Sequence, residues 1–184
     1  RNVGADIGRL FGEAIAKKVD ADLIGLFSSF TTNTAGAAGT ELTADLLFKA
    51  QAQLRSLNVP APYYAVFHPK AVFNLKKTLT QAGYGTSAYA ISDVGNEALT
   101  NGYIGRIAGI DVFEDANFTI DASDDSVGGV FSPISIGLAM KEDFKVETQR
   151  DASMRATEIV ASIVYGKAVV KENYGVAVTT DCAF

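Results

Sequence analysis

The chain has 184 residues, of which 48% are hydrophobic and 20% are charged. This length and composition are typical of a globular protein with one sizeable core, or with two lobes that share a chain. The net charge of −5 excludes the strongly basic character of a dedicated nucleic-acid binder. No apolar run approaches the ~20 residues of a membrane-spanning helix. A single cysteine, Cys182, excludes an intramolecular disulfide bond and a cysteine-based zinc site.

The first predicted element is an amphipathic helix over residues 6–27, in which apolar side chains recur at every fourth position. Because a spacing of four exceeds the 3.6-residue turn, this stripe winds around the helix and should contact different partners along its length. A second row consists of small residues: Gly4, Gly8, Gly12 and Ala16. That row indicates either close approach by another backbone or a frayed start of the helix.

A second helix is predicted over residues 41–57, after an exposed loop of small and polar residues at 31–39. Thr40 is the predicted N-cap of this helix, and Pro60 and Pro62 are expected to end it.

An aromatic-rich apolar run at 63–68 predicts a buried strand. Pro69 then suits the first position of a short helix over 70–79. A long polar loop is predicted at 81–95, a length at which loops are usually functional or poorly ordered.

The rest of the chain has a period closer to two, which predicts strands. These are expected at 103–108, 110–114, 129–131, 136–140, 145–149, 157–165 and 174–179. Both faces of the strand at 157–165 are mostly apolar, so we expect it to be covered on both sides. Helices precede a run of strands without a repeated βαβ unit, which indicates the α+β class.

The densest acidic patch contains Asp121, Asp124 and Asp125, with Glu114 and Asp115 nearby. Calcium sites need several oxygen ligands at set spacings, and this stretch lacks both the EF-hand spacing and the closing glutamate. We therefore predict a solvated turn and no metal site.

His68 and Cys182 are the side chains that could serve as a general base and a nucleophile. No nucleophile motif surrounds either residue, which favours a packed or capping histidine and a cysteine in the C-terminal tail. The pairs Gly102/Gly105 and Gly128/Gly129 lack the phosphate-loop spacing and are interpreted as turns. No catalytic residue and no cofactor is predicted.

Five charged residues are candidates for contacts between subunits: Arg106, Glu147, Arg150, Arg155 and Glu158. Arg106 interrupts an apolar strand, so it either extends from a sheet edge to solvent or pairs with a carboxylate across a subunit contact. The other four lie in the last third of the chain, where, together with Asp151, they alternate in sign: Glu147, Arg150, Asp151, Arg155 and Glu158. In an assembly, such charges set register and choice of partner more than affinity.

Several segments, taken in order, resemble the major capsid protein of tailed bacteriophages, which has the Hong-Kong-97-type fold. Residues 6–27 resemble the long spine helix of that family, and residues 41–57 with 63–79 resemble the helix-strand-helix of its axial domain. GRIAG at 105–109, followed by DVF at 111–113, is similar to a recurrent glycine-rich segment of the family. Residues 144–166 resemble the long strands of its peripheral domain, and 169–179 resemble the return to the axial domain.

The resemblance implies a peripheral-type domain at 1–30 and 140–165, and an axial-type domain at 31–139 and 166–184. The N-terminal arm and extended loop that precede the spine helix in that family are absent here, and the sequence starts at Arg1 within a periodic pattern. We therefore expect a longer protein.

The function implied is structural and not enzymatic. Subunits would assemble into the hexamers and pentamers of an icosahedral head that encloses double-stranded DNA. Copies of the chain would be the main partners, with a portal and possible scaffold or cement proteins, non-specifically bound DNA and no membrane. The expected location is the virion shell, after assembly in the host cytoplasm. The alternatives are an encapsulin shell around a cargo enzyme and a small hydrolase that uses His68.

Overall fold

The computed structural model describes residues 3–80 and 105–183. Its helices are α1 (Val3–Ile24), α2 (Ala44–Ser56) and α3 (Pro69–Thr80), with 3-10 helices at Gly25–Ser29 and Glu172–Tyr174. Its strands are β1 (Thr34–Gly36), β2 (Tyr63–Phe67), β3 (Arg106–Ile107), β4 (Ile110–Glu114), β5 (Asp125–Phe131), β6 (Ile136–Asp151), β7 (Ala156–Val169) and β8 (Gly175–Asp181). Within the described ranges, no helix has the length and apolar character needed to cross a membrane.

Six strands form a mixed sheet in the order β1-β8-β5-β2-β4-β3. The pairs β1–β8 and β2–β4 are parallel, and the others are antiparallel. Helices α2 and α3 cover one face through Leu47, Leu54 and Leu75, none of which is exposed. The main core of the protein lies between these helices and the sheet. The α+β class is confirmed.

The opposite face of the sheet holds a second, aromatic cluster built on Phe27 and Phe30. Phe27 lies in the 3-10 helix Gly25–Ser29, which directly follows α1, and Phe30 is the next residue after that helix. Phe27 stacks on Phe118 with ring centroids 6.1 Å apart and packs beside Phe131 at 5.3 Å. The C-terminal end of the α1 segment is thereby fastened to the sheet, because burial of these rings removes a large apolar area from water.

Gly128 and Gly129 form no turn; they lie within β5, which corrects the sequence-based interpretation. A Cβ at Gly129 would lie 2.6 Å from the Phe27 ring, and a Cβ at Gly128 would overlap the Phe67 ring on the other face. Both positions require glycine, because aromatic rings approach the strand backbone from both sides and leave no room for a Cβ.

Strands β6 and β7 form a separate two-stranded antiparallel ribbon. The strands predicted at 136–140 and 145–149 are one strand, since the two register shifts between Met140 and Lys145 are irregularities of the β-bulge type that do not end the strand. The expectation that residues 157–165 are covered on both sides is wrong for the single chain. Within this range, Ile159, Ala161, Ile163 and Tyr165 are only half-buried, and the other residues are exposed.

Several element boundaries differ from the predictions. Thr43 caps α2, because its side chain accepts a hydrogen bond from Leu46 N at 3.4 Å. Thr40 instead donates its backbone N–H to Ala37 O in the preceding turn. The strand at 63–67 and the helix that begins with Pro69 are confirmed. The predicted loop at 81–95, Gly102 and the start of the predicted strand at 103–108 lie outside the described residues.

Candidate subunit-assembly surface

The ribbon presents two faces that follow from its register. Tyr165 and Lys167 of β7 share one face and contact α1 at the base of the ribbon. Val160 and Val164 point to the opposite face, where they are 48% and 41% exposed. Exposed apolar side chains also occur on the face of Tyr165 and Lys167, because Leu138 is paired with Lys167 and Met140 with Tyr165. Phe144 and Val146 of β6 are exposed as well. An apolar surface of this kind marks a site of interaction with another protein surface.

The structure brings four of the five predicted interface residues together in the distal half of the ribbon. Glu147 is paired in register with Val160, and Glu158 with Gln149. Both carboxylates therefore lie on the face of Val160 and Val164, which is the face turned away from α1. Arg150 is paired with Thr157 and therefore lies on the opposite face. The two glutamates cannot neutralise Arg150 across the ribbon of one chain.

The partners of these charges within the chain are few. Lys145 Nζ lies 2.5 Å from Glu147 Oε1, and this lysine lowers the pKa of Glu147. Among residues 3–80 and 105–183, Arg150, Arg155 and Glu158 form no ion pair. These three charges are available for contacts with a neighbouring subunit.

A compact turn closes the ribbon at its tip. Asp151 Oδ1 accepts hydrogen bonds from Ser153 N at 2.8 Å, Ser153 Oγ at 2.7 Å and Met154 N at 3.2 Å. These hydrogen bonds lower the pKa of Asp151, and the one from the Ser153 hydroxyl has the largest effect. Arg155 adopts a positive φ of 51°, and Met154 is 77% exposed. The tip is therefore a defined shape that presents an apolar and a basic side chain.

Arg106 lies apart from the ribbon, in β3 at the edge of the six-stranded sheet. Its Nε is 3.2 Å from Asp111 Oδ1 on the adjacent strand, and its side chain is 59% exposed. The residue thus extends from a sheet edge, and the carboxylate that it contacts belongs to the same chain. A contact with a second subunit stays a prediction.

The sequence analysis missed a junction between α1 and the ribbon, centred on Asp22. Its Oδ2 accepts a hydrogen bond from Tyr165 Oη at 2.6 Å, and its Oδ1 lies 3.0 Å from Lys167 Nζ. Hydrogen bonds from Tyr165, Lys167 and Lys18 hold the pKa of Asp22 well below its ordinary value. Only the Lys18–Asp22 spacing of four residues was visible in the sequence.

The acidic patch is structural. Asp121 Oδ1 accepts hydrogen bonds from Ser123 N at 2.8 Å and Asp125 N at 2.9 Å. Asp125 is buried, in contrast to the prediction of a wholly solvated turn, and its Oδ1 accepts a hydrogen bond from Gly39 N. No group of three or more ligating side chains that could hold a metal ion occurs in the described part of the chain.

The surroundings of His68 and Cys182 indicate that both residues have structural roles. His68 Nδ1 accepts a hydrogen bond from Lys70 N at 3.2 Å, which confirms its interpretation as a capping residue at the start of α3. Cys182 is fully buried in the main core and is not a tail residue in space. Its Sγ lies 2.9 Å from Ser126 Oγ, and burial raises the pKa of the thiol, which opposes formation of a nucleophilic thiolate.

The architecture has clear counterparts among solved structures. The chain is similar to a protein of Mycobacterium phage Che8, with a TM-score of 0.74 and 24% identity over 94% of this chain and 61% of that one. It is similar to the capsid of cyanophage P-SCSP1u, with a TM-score of 0.71 and 18% identity over 98% and 66% of the two chains. An encapsulin from Synechococcus elongatus gives a TM-score of 0.70 and 12% identity over 96% and 65%.

The fold is thus the Hong-Kong-97-type fold of shell-forming proteins, as predicted. The model of the family described as Phage capsid protein matches residues 2–179. The chain belongs to this phage capsid family. No curated protein sequence matches it. The chain spans 61% to 66% of the three solved chains compared above.

Proposed function

We propose that the whole protein self-assembles, through hexamers and pentamers, into an icosahedral phage head that encloses double-stranded DNA. The β6–β7 ribbon is the main support for this proposal. A two-stranded ribbon by itself is marginally stable in water, and this one exposes apolar residues on both strands, among them Phe144 and Val160. Contacts with neighbouring subunits would cover these residues and stabilise the ribbon.

The two sheets support the proposed division into two domains. Residues 1–30 and 140–165 would form the peripheral-type domain, since they include α1 and most of the ribbon. Residues 31–139 and 166–184 would form the axial-type domain around the six-stranded sheet.

The remaining partners are proposed from the family. A portal and scaffold or cement proteins would contact the shell, and the DNA would be held by confinement, which is compatible with the net charge of −5. Shells would form in the host cytoplasm and persist in the virion. We propose no catalytic or cofactor-dependent step and no membrane contact.

Arg106, Glu147, Arg150, Arg155 and Glu158 are proposed as interface residues. Replacing Arg150 with alanine should change the free energy of unfolding of the unassembled subunit by less than about 0.5 kcal/mol. The reason is that the side chain is exposed and forms no ion pair within the described residues. The association constant of the subunit contact should fall about tenfold, which corresponds to about 1.4 kcal/mol of lost association free energy, and the yield of shells should fall with it. Light scattering and denaturant unfolding of the full-length protein measure the two effects.

Arg55→Ala is the matched control, since Arg55 is an exposed arginine of α2, outside the ribbon. It should leave both shell yield and stability near wild type. Normal assembly of the Arg150 variant together with a sharply lower melting temperature would contradict its assignment to an interface.

Negative-stain electron microscopy of the full-length protein from its source tests the proposed function directly. We expect closed polyhedral shells that contain DNA. A cargo enzyme in place of DNA would identify an encapsulin, whose fold is also similar to this chain. A monodisperse monomer under all salt and pH conditions would contradict assembly. Ester or peptide hydrolysis lost in His68→Ala would then support the hydrolase alternative.

A further inference from the structure

Three chain segments connect the unit formed by α1 and the ribbon to the six-stranded sheet. Residues 30–33 lead from the 3-10 helix after α1 into β1, residues 132–135 lead from β5 into β6, and residues 170–174 lead from β7 into β8. The second and third segments are joined by backbone hydrogen bonds: Ser132 N to Tyr174 O at 3.1 Å and Val170 N to Ser135 O at 2.8 Å. Because these bonds use only the backbone, they depend little on side-chain identity.

The first segment is joined to the third by side chains instead. Glu172 Oε1 accepts four hydrogen bonds from two consecutive residues. The backbone N–H groups of Thr31 and Thr32 each lie 3.0 Å from this oxygen, and their hydroxyl oxygens lie at 2.6 and 2.9 Å. Asn33 adds one bond from Nδ2 to Asn173 O at 3.2 Å. A carboxylate in a cradle of N–H and O–H donors is held in a defined orientation.

We propose that Glu172 is a positioning residue for shell assembly, which fixes the direction in which the ribbon leaves the six-stranded sheet by holding the segment after β7 to Thr31 and Thr32. The inference rests on the proposed function, because it concerns how a subunit is prepared to meet its neighbours. In this arrangement, the ribbon and the segment that follows it are held at two places to the N-terminal part of the chain. Asp22 contacts Tyr165 and Lys167 of β7, and the Thr31–Thr32 pair contacts Glu172 just after β7.

The contact is suited to set orientation more than stability. All four hydrogen bonds are solvent-exposed. In a variant that lacks the Glu172 carboxylate, water can therefore accept these hydrogen bonds in its place, at little net cost in the free energy of unfolding. The anchoring of this region in the core comes from Phe27 and Phe30. Loss of the carboxylate would leave the rings buried and residues 31–32 held between Phe30 and β1. It would free the segment at 170–174, and with it the ribbon, to reorient.

The electrostatic setting is consistent with a permanently ionised carboxylate. The hydrogen bonds from Thr31 and Thr32 lower the pKa of Glu172 to about 2, and slight burial opposes this effect. The neighbouring cation, Lys171, lies with its Nζ 4.5 Å from the centre of the Tyr174 ring. Glu172 therefore remains charged throughout the neutral range.

The test compares two pairs of variants in the full-length protein. Glu172→Ala removes the acceptor, and Glu172→Gln retains one acceptor oxygen without the charge. The double variant Thr31→Val, Thr32→Val removes both hydroxyls, whereas Thr31→Ser, Thr32→Ser retains all four donors. Each protein is examined by electron microscopy for the yield and diameter of closed shells, by thermal unfolding of the unassembled subunit, and by hydrogen exchange at the Thr32 amide.

We expect wild-type shells from the serine variant. The Glu172→Ala and double-valine variants should fold with nearly unchanged melting temperature, yet give about tenfold fewer uniform closed shells, as for a subunit that holds the competent orientation about a tenth of the time. Glu172→Gln should fall between them and wild type. The Thr32 amide should exchange faster in Glu172→Ala while amides of the core strands β2 and β5 stay protected.

Three results would overturn the inference: wild-type shells from Glu172→Ala, equal defects in the serine and valine variants, or a loss of shells that parallels a loss of folded subunit. Absence of shells from the wild-type protein would instead contradict the proposed function, and the inference with it.

Discussion

Replacing Phe30 with alanine is expected to lower the free energy of unfolding by about 3–5 kcal/mol, the usual cost of removing a fully buried phenylalanine. Phe30 is 0% exposed, and its ring stacks on Phe27 with centroids 6.3 Å apart. It also covers Gly175, where a Cβ would overlap the ring. The loss should release the α1 segment from the sheet. Denaturant unfolding of the unassembled subunit measures the effect.

Phe144→Ala is the control for this substitution. Phe144 is 43% exposed on β6, so its removal should change the stability of the unassembled subunit by less than about 1 kcal/mol. The same substitution should lower the yield of shells, because it removes apolar area proposed to be buried between subunits. Equal destabilisation by the two substitutions would contradict the assignment of Phe30 to the core and Phe144 to a contact surface.

Replacing Gly128 with alanine should also destabilise the protein, by about 1–3 kcal/mol, since the added methyl group overpacks a filled core. The new Cβ would overlap the Phe67 ring and lie 2.9 Å from Val66 O, a backbone atom of the paired strand. Phe67 is fully buried and has little room to move. Thermal and denaturant unfolding of the unassembled subunit would report this cost.

Gly166→Ala in β7 provides the matched comparison, because nothing lies within 4 Å of its added Cβ. Alanine there should be neutral or stabilise the chain by up to about 0.5–1 kcal/mol, the usual penalty of glycine in a strand interior. If both glycine variants had the same effect on stability, close approach of the aromatic ring could not explain the glycine in β5.

The sequence was sufficient for the elements whose pattern is local. Apolar residues at every fourth position from Ile7 onward predicted the long helix, and Pro69 marked the start of α3. The aromatic run after Pro62 predicted β2. These predictions succeeded because helix periodicity and proline geometry depend on neighbours along the chain. The order of such segments also carried the resemblance to phage capsid proteins, which the family match confirms.

The errors arose where the structure depends on contacts between distant residues. Gly128 and Gly129 resemble a turn in the sequence, but they are required by rings that come from β2 and from the end of α1. Cys182 lies near the C-terminus, yet β8 runs inside the sheet, between β1 and β5, and leaves this residue in the core. No local pattern reports such neighbours.

By itself, the sequence determined the class of fold and placed four of the five candidate interface charges in the last third of the chain. Only the tertiary structure decided which of these charges share a face, because the ribbon register sets Glu147 and Glu158 on one side and Arg150 on the other. It alone brought Glu172 to Thr31 and Asp22 to Tyr165. These pairs are more than 100 residues apart in the chain, so their contacts follow from the packing of whole elements and not from sequence spacing.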